Sequence, residues 1–134
     1  MTTDVTVDDF LAGVVAACKT LGYSTISLRD ASFYESIAAT YETLVASAPA
    51  LDLDVRFAVF VDPVHGDSPV VGQALTTAVQ RKLVSLDNPE YVNMRIKLNA
   101  DAAERLLDTL PGGRNLYTQL ARVFLDAESA ISTA

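Results

Sequence analysis

Apolar residues recur along this chain with two periods, and the switches between them mark out its elements. Over residues 6–21, Phe10, Leu11, Val14, Val15, Cys18 and Leu21 return at helical spacing. Thr6, followed three positions later by Asp9, makes a near capping box at the start, and Gly22 is a natural stop. A second helix is predicted over about 32–47, with Phe33, Ile37, Tyr41, Leu44 and Ala48 on one stripe and Pro49 ending it. Between the two, YSTISL at 23–28 is rich in β-branched and hydroxyl residues and reads either as an extended link or as an edge strand.

The longest alternation follows at 51–62. Leu51, Leu53, Val55, Phe57, Val59 and Val61 alternate with Asp52, Asp54, Arg56, Ala58, Phe60 and Asp62, so a strand here has one apolar face and one mixed face. A strand buried between two helix layers would be apolar on both faces, so this pattern predicts two layers with one sheet face open. Pro69 suits the first turn of a third helix, predicted to run to about residue 86 through Val71, Leu75, Ala78, Val79, Leu83 and Leu86, with Arg81 and Lys82 complementing its dipole. Asp87-Asn88-Pro89 reads as a turn, and 91–98 alternates again: Val92, Met94, Ile96 and Leu98 against Tyr91, Asn93, Arg95 and Lys97. A short helix from 99 or 100 to 110, a Pro111-Gly112-Gly113 break and a last helix over about 114–130, using Leu116, Leu120, Val123 and Phe124, complete the chain.

The expected fold is a two-layer, helix-rich α+β single domain over residues 1–134. Its small sheet has two or three strands (51–62 and 91–98, with 23–28 as the candidate third) covered on one face by helices. Strand, helix and strand in that order imply a right-handed parallel crossover between 51–62 and 91–98. Two strands alone make a poor sheet, so a third must come from 23–28 or from another subunit.

Composition narrows the partners. A chain of 134 residues, half of them apolar, is long enough for one compact core. Ten basic against 17 acidic residues give a formal charge of −7, which argues against nucleic acid and anionic membranes as partners. The single cysteine, Cys18, excludes an intramolecular disulfide and fits a reducing compartment, so the cytosol is expected. Its place on an apolar stripe makes it a core residue rather than a reactive thiol. The opening MTTDVTVDDF carries acids where a signal peptide needs a basic region, and the apolar run after it is closed by Lys19, short of the roughly 20 residues of a membrane span; neither export nor insertion is expected.

Two constellations carry candidate chemistry. The loop Asp62-Pro63-Val64-His65-Gly66-Asp67 holds the only histidine at the end of the predicted strand, where open α/β sheets often bind ligands. Asp62, His65 and Asp67 could share a divalent metal, or Asp62 could orient His65 as a general base, which would make the chain a small metal- or anion-dependent hydrolase or phosphoryl-transfer enzyme. The plainer reading gives these neighbours turn and cap duties: Asp62-Pro63 opens a turn, Gly66 supplies a flexible backbone, and Asp67 or Ser68 caps the helix at Pro69.

The second constellation is the open sheet face: Arg56, Asn93, Arg95 and Lys97 with Phe60 and Tyr91. This aromatic and basic mixture suits a protein interface. It lacks the aromatic-rich signature of sheet-based RNA readers, and cross-strand pairs between Asp52 or Asp54 and Arg95 or Lys97 would occupy its cations. Gly112 and Gly113 do not form a phosphate-binding loop. No pattern names a cofactor. The leading expectation is therefore a cytosolic, non-catalytic binding module that docks a protein partner on the open face or self-associates. The enzyme on the Asp62 loop comes second, and an acidic inhibitor or nucleic-acid mimic a distant third.

Overall fold

The computed structural model of the chain describes residues 3–27, 32–59, 69–86 and 93–133. Among these, five short strands and five helices follow in the order β1 (Thr3–Val5), α1 (Val7–Thr20), β2 (Thr25–Ser27), α2 (Ser32–Ser47), β3 (Leu53–Val55), α3 (Pro69–Gln80), β4 (Val84–Leu86), β5 (Asn93–Ile96), α4 (Ala100–Thr109) and α5 (Gly113–Thr133). This is the helix-rich α+β domain that the periodicities predict, with small sheets packed against helices.

Helix α1 is the axis of the domain. Its N-terminus is closed by a reciprocal cap: the Asp9 N–H donates to the Thr6 hydroxyl (3.1 Å) and the Thr6 N–H to the Asp9 carboxylate (3.4 Å). Every residue from Phe10 to Cys18 is buried, where the apolar stripe alone would have left Ala12, Gly13, Ala16 and Ala17 toward solvent. The helix packs against α3, α4 and α5, so its small-residue side is covered as fully as its large-residue side. Gly13 makes the closest approach possible: a Cβ there would overlap the ring of Tyr117 from α5. That ring is wholly buried, and its hydroxyl donates to the Pro111 carbonyl (2.7 Å). Burial, and secondarily the Asp9 charge, push the Tyr117 hydroxyl above the usual tyrosine range.

Three helix ends use one device. At the end of α1, the Tyr23 N–H donates to the Cys18 carbonyl and the Gly22 N–H to that of Lys19, with Gly22 at φ +99°. After α2 a 3-10 turn over Pro49–Leu51 ends with Asp52 at φ 54°, and the Leu53 N–H donates to the Ala48 carbonyl (3.0 Å). After α3, Lys82 takes φ 63° and the Leu83 N–H donates to the Ala78 carbonyl (3.0 Å). Each turn tucks in the last helical carbonyls and points the chain into a strand. Leu53 and Leu83, which leave the second and third turns, are both buried.

These turns account for two departures from the sequence pattern. Residue 51 does not begin a strand: Leu51 belongs to the 3-10 turn, is 44% exposed, and strand pairing spans only Leu53–Val55. Alternation nevertheless continues to Val59, with Arg56 and Ala58 exposed and Phe57 and Val59 partly buried. Phe57 is held between Phe10 of α1 and Tyr41 of α2 (ring centroids 5.5 and 5.4 Å), and the Tyr41 hydroxyl donates to its carbonyl (3.0 Å). Helix α3 stops at Gln80 rather than near 86, because a lysine occupies the left-handed position usually given to glycine, and 84–86 become β4. Val79, expected inward, is 37% exposed.

The strand pairing also differs from expectation. Strand β3 pairs in parallel with β1, a strand the pattern did not reveal, while β5 lies between β2 and β4 with both pairings antiparallel. Strands β3 and β5, the strands described within 51–62 and 91–98, therefore belong to separate sheets, and the crossover expected between them is absent from the described residues. Instead α1 joins the sheets, since it leaves β1 of the first and leads to β2 of the second.

Candidate binding face

Strand β5 sets out the face residue by residue. Met94 and Ile96 are buried while Arg95 and Lys97 are exposed, as the period of two requires of a strand with one side on the core. The neighbouring strands repeat the division: Ile26 of β2 and Val84 of β4 are buried, whereas Thr25 is exposed and Ser85 half-buried. Because Thr25 and Ser85 both register with Arg95, the outward side carries a row of hydroxyl, guanidinium and hydroxyl across three strands.

Toward the end of β5 the Ile96 N–H donates to the Ser24 carbonyl (2.8 Å) and the Lys97 N–H to the Leu83 carbonyl (2.9 Å). These bonds set Lys97 between the turn that holds Tyr23 and the turn that holds Arg81 and Lys82. The Lys19 ammonium donates to the Ser24 hydroxyl (3.2 Å). Tyr23, 47% exposed, also lines a shallow groove with Leu21 from the end of α1 and Arg122, Leu125 and Asp126 from α5. The segment 23–28 is thus a strand in its middle and a groove wall at its start. Tyr23, Lys19 and Arg122 carry no signal in the sequence, because only the folded chain brings the end of α1 and one side of α5 to the turn before β2.

Arg56 stands elsewhere. It follows β3 in the parallel sheet, where the Arg56 N–H donates to the Val5 carbonyl (3.1 Å) and its guanidinium pairs with Asp4 (3.4 Å) and Asp54 (3.3 Å). Asp4 and Asp54 are direct register partners, an unfavourable juxtaposition of like charges that the guanidinium between them relieves. The ion pairs expected between Asp54 and Arg95 or Lys97 are replaced by these, and Arg56 shares no sheet with the β5 cations. Asn93 opens β5, and Phe60 and Tyr91 lie outside the described residues.

Asp62, His65 and Asp67 also lie outside the described residues. Within the described residues there is no group of three or more His, Cys, Asp or Glu side chains placed to hold a metal ion. A second shallow groove, between α4 and α5, is lined by Asp101, Glu104, Arg105, Asp108 and Arg114, and an Arg114–Asp108 pair (2.9 Å) occupies part of it. Cys18 is fully buried in the core. No described helix is long and apolar enough to cross a membrane. Comparison with known protein families, curated proteins and solved structures finds no significant match to the chain.

Proposed function

We propose that the chain is a non-catalytic binding module of the cytosol that meets a protein partner through the outward side of the β2-β5-β4 sheet. The observation that carries this reading is the division of β5, with Met94 and Ile96 in the core and Arg95 and Lys97 outside, flanked by Thr25 and Ser85. A sheet with one dry side and one side of hydroxyls and cations has the composition of an interface rim, and Tyr23 at its end supplies an aromatic anchor of the kind enriched at interface centres. This side needs no catalytic geometry to work.

The test is a charge reversal on that side, Arg95→Glu with Lys97→Glu, in the full chain. The reading expects unchanged helical content and melting behaviour, together with loss of cross-linked or co-purified partners. Partners and oligomeric state that survive the double change would contradict it. A wild-type dimer that the change converts to monomer would make the partner a second copy of the chain.

A further inference from the structure

We infer that the end of the β2-β5-β4 sheet around Lys97 receives an acidic peptide segment with an apolar anchor residue, an inference that rests on the binding role proposed for this sheet. Half of the ten basic residues lie at or beside this end: Lys19, Arg81, Lys82, Lys97 and Arg122. The backbone bond from Lys97 to Leu83 sets it beside Arg81 and Lys82, the Lys19–Ser24 bond brings in the end of α1, and the groove joins Arg122 to Tyr23. None of the five forms an ion pair with a carboxylate among the described residues, whereas Arg56 and Arg114 are both paired. Four of the five are exposed and Lys19 is partly so.

The overall charge of −7 does not cancel this local excess. At physiological ionic strength charges are screened over about 8 Å, so a ligand at the Lys97 end responds chiefly to the nearest groups. Among the described residues, the carboxylate that lines the adjoining groove is Asp126, beside Arg122. Leu21, Tyr23 and Leu125 add an apolar surface in the same groove, which neither a free phosphate nor a bare polyanion would use. Carboxylates for the cations and one aliphatic side chain for the groove describe an acidic peptide segment, whereas a nucleic acid has no aliphatic side chain to set against Leu21 and Leu125.

The experiment is fluorescence anisotropy on the full chain with two labelled peptides, one of glutamates around a central leucine and one of glutamates alone. The expected result is saturable binding of the leucine peptide that weakens as salt is raised. Arg81→Glu with Lys97→Glu should weaken it by about tenfold or more, and Arg105→Glu on α4 should leave it unchanged. Tyr23→Ala should bring the leucine peptide down to the level of the all-glutamate one. The inference is overturned if the leucine peptide does not saturate, if the double reversal binds as the wild type does, or if an oligothymidylate binds more tightly than the peptide. It is equally overturned if sedimentation shows a wild-type oligomer that the double reversal dissolves, since the occupant is then a second copy. If the peptide fails while Arg95→Glu with Lys97→Glu still strips a cross-linked partner, the sheet binds something other than an acidic segment. If both fail, the parent reading falls with it.

Discussion

The two sheets are entered through the same turn and finish with opposite character. In each, a helix ends at an alanine carbonyl, a left-handed residue reverses the chain, and a buried leucine leads into the strand: Ala48, Asp52 and Leu53 for one, Ala78, Lys82 and Leu83 for the other. Past that point they diverge. The parallel sheet places two aspartates opposite each other and sets its one cation between them, so its charges serve its own cohesion. In the antiparallel sheet Arg95 and Lys97 lie on the exposed side, and Lys97 with its neighbours Arg81 and Lys82 forms no ion pair with a carboxylate among the described residues. The same turn thus leads into one sheet whose Arg56 is paired within it and into another whose Lys97 end carries cations without such pairs among the described residues, a difference of strand pairing as well as of side chains.

Breaking what the sheets share gives the largest effects. Replacing Leu53 or Leu83 by alanine removes a buried side chain next to the same turn, and each should cost about 2–4 kcal/mol in a denaturant melt, with the two costs similar. Gly13→Ala strikes the helix that joins the sheets. Overpacking against the Tyr117 ring costs about 1–3 kcal/mol or more, while the gain in helix propensity returns only about 0.5–1 kcal/mol, so the net should be destabilising by roughly 2 kcal/mol. Tyr117→Phe should cost about 1 kcal/mol through the lost bond to Pro111. It should also change the alkaline limb. A tyrosine held protonated in the fold contributes stability that is complete below its unfolded value near 10 and is lost as pH rises above it, so the wild type should weaken above about pH 10 more steeply than the phenylalanine variant.

The left-handed residues separate the sheets by smaller amounts. Lys82→Gly should stabilise by about 0.5–1 kcal/mol, because a lysine gains nothing from that conformation, whereas Asp52→Gly should yield only a few tenths, since short polar side chains tolerate it. Lys82→Gly would at the same time weaken binding at the Lys97 end, so that stability and function move in opposite directions. Smallest of all, Arg56→Ala should change stability by less than about 0.5 kcal/mol, as both its pairs are on the surface.

Much of this was legible in the sequence. The cap at Thr6, the stop at Gly22 and the inward and outward sides of β5 follow from residue type and period. What was hidden has a physical cause. Lys82 and Asp52 bend the chain where glycine was the expected signal, which stretched α3 and the strand at 51 beyond their true ends. A three-residue strand such as Thr3–Val5 is too short to display a period, so the pairing that gives Arg56 its partners could not be foreseen. The small residues of α1 read as a neutral face, although their size is what allows α5 to close over them. Of the candidate face, Arg95 and Lys97 were visible, but the cations around them come from turns and from α5, which only the folded chain brings together.

The comparison of the sheets is tested most directly by one pair of titrations: the labelled leucine-containing glutamate peptide against Lys97→Glu and against Arg56→Glu, at physiological salt. A large loss of affinity for Lys97→Glu, with wild-type affinity for Arg56→Glu, is the predicted result. Equal losses would mean that general charge governs binding, and no loss in either would mean that the antiparallel sheet is as self-satisfied as the parallel one.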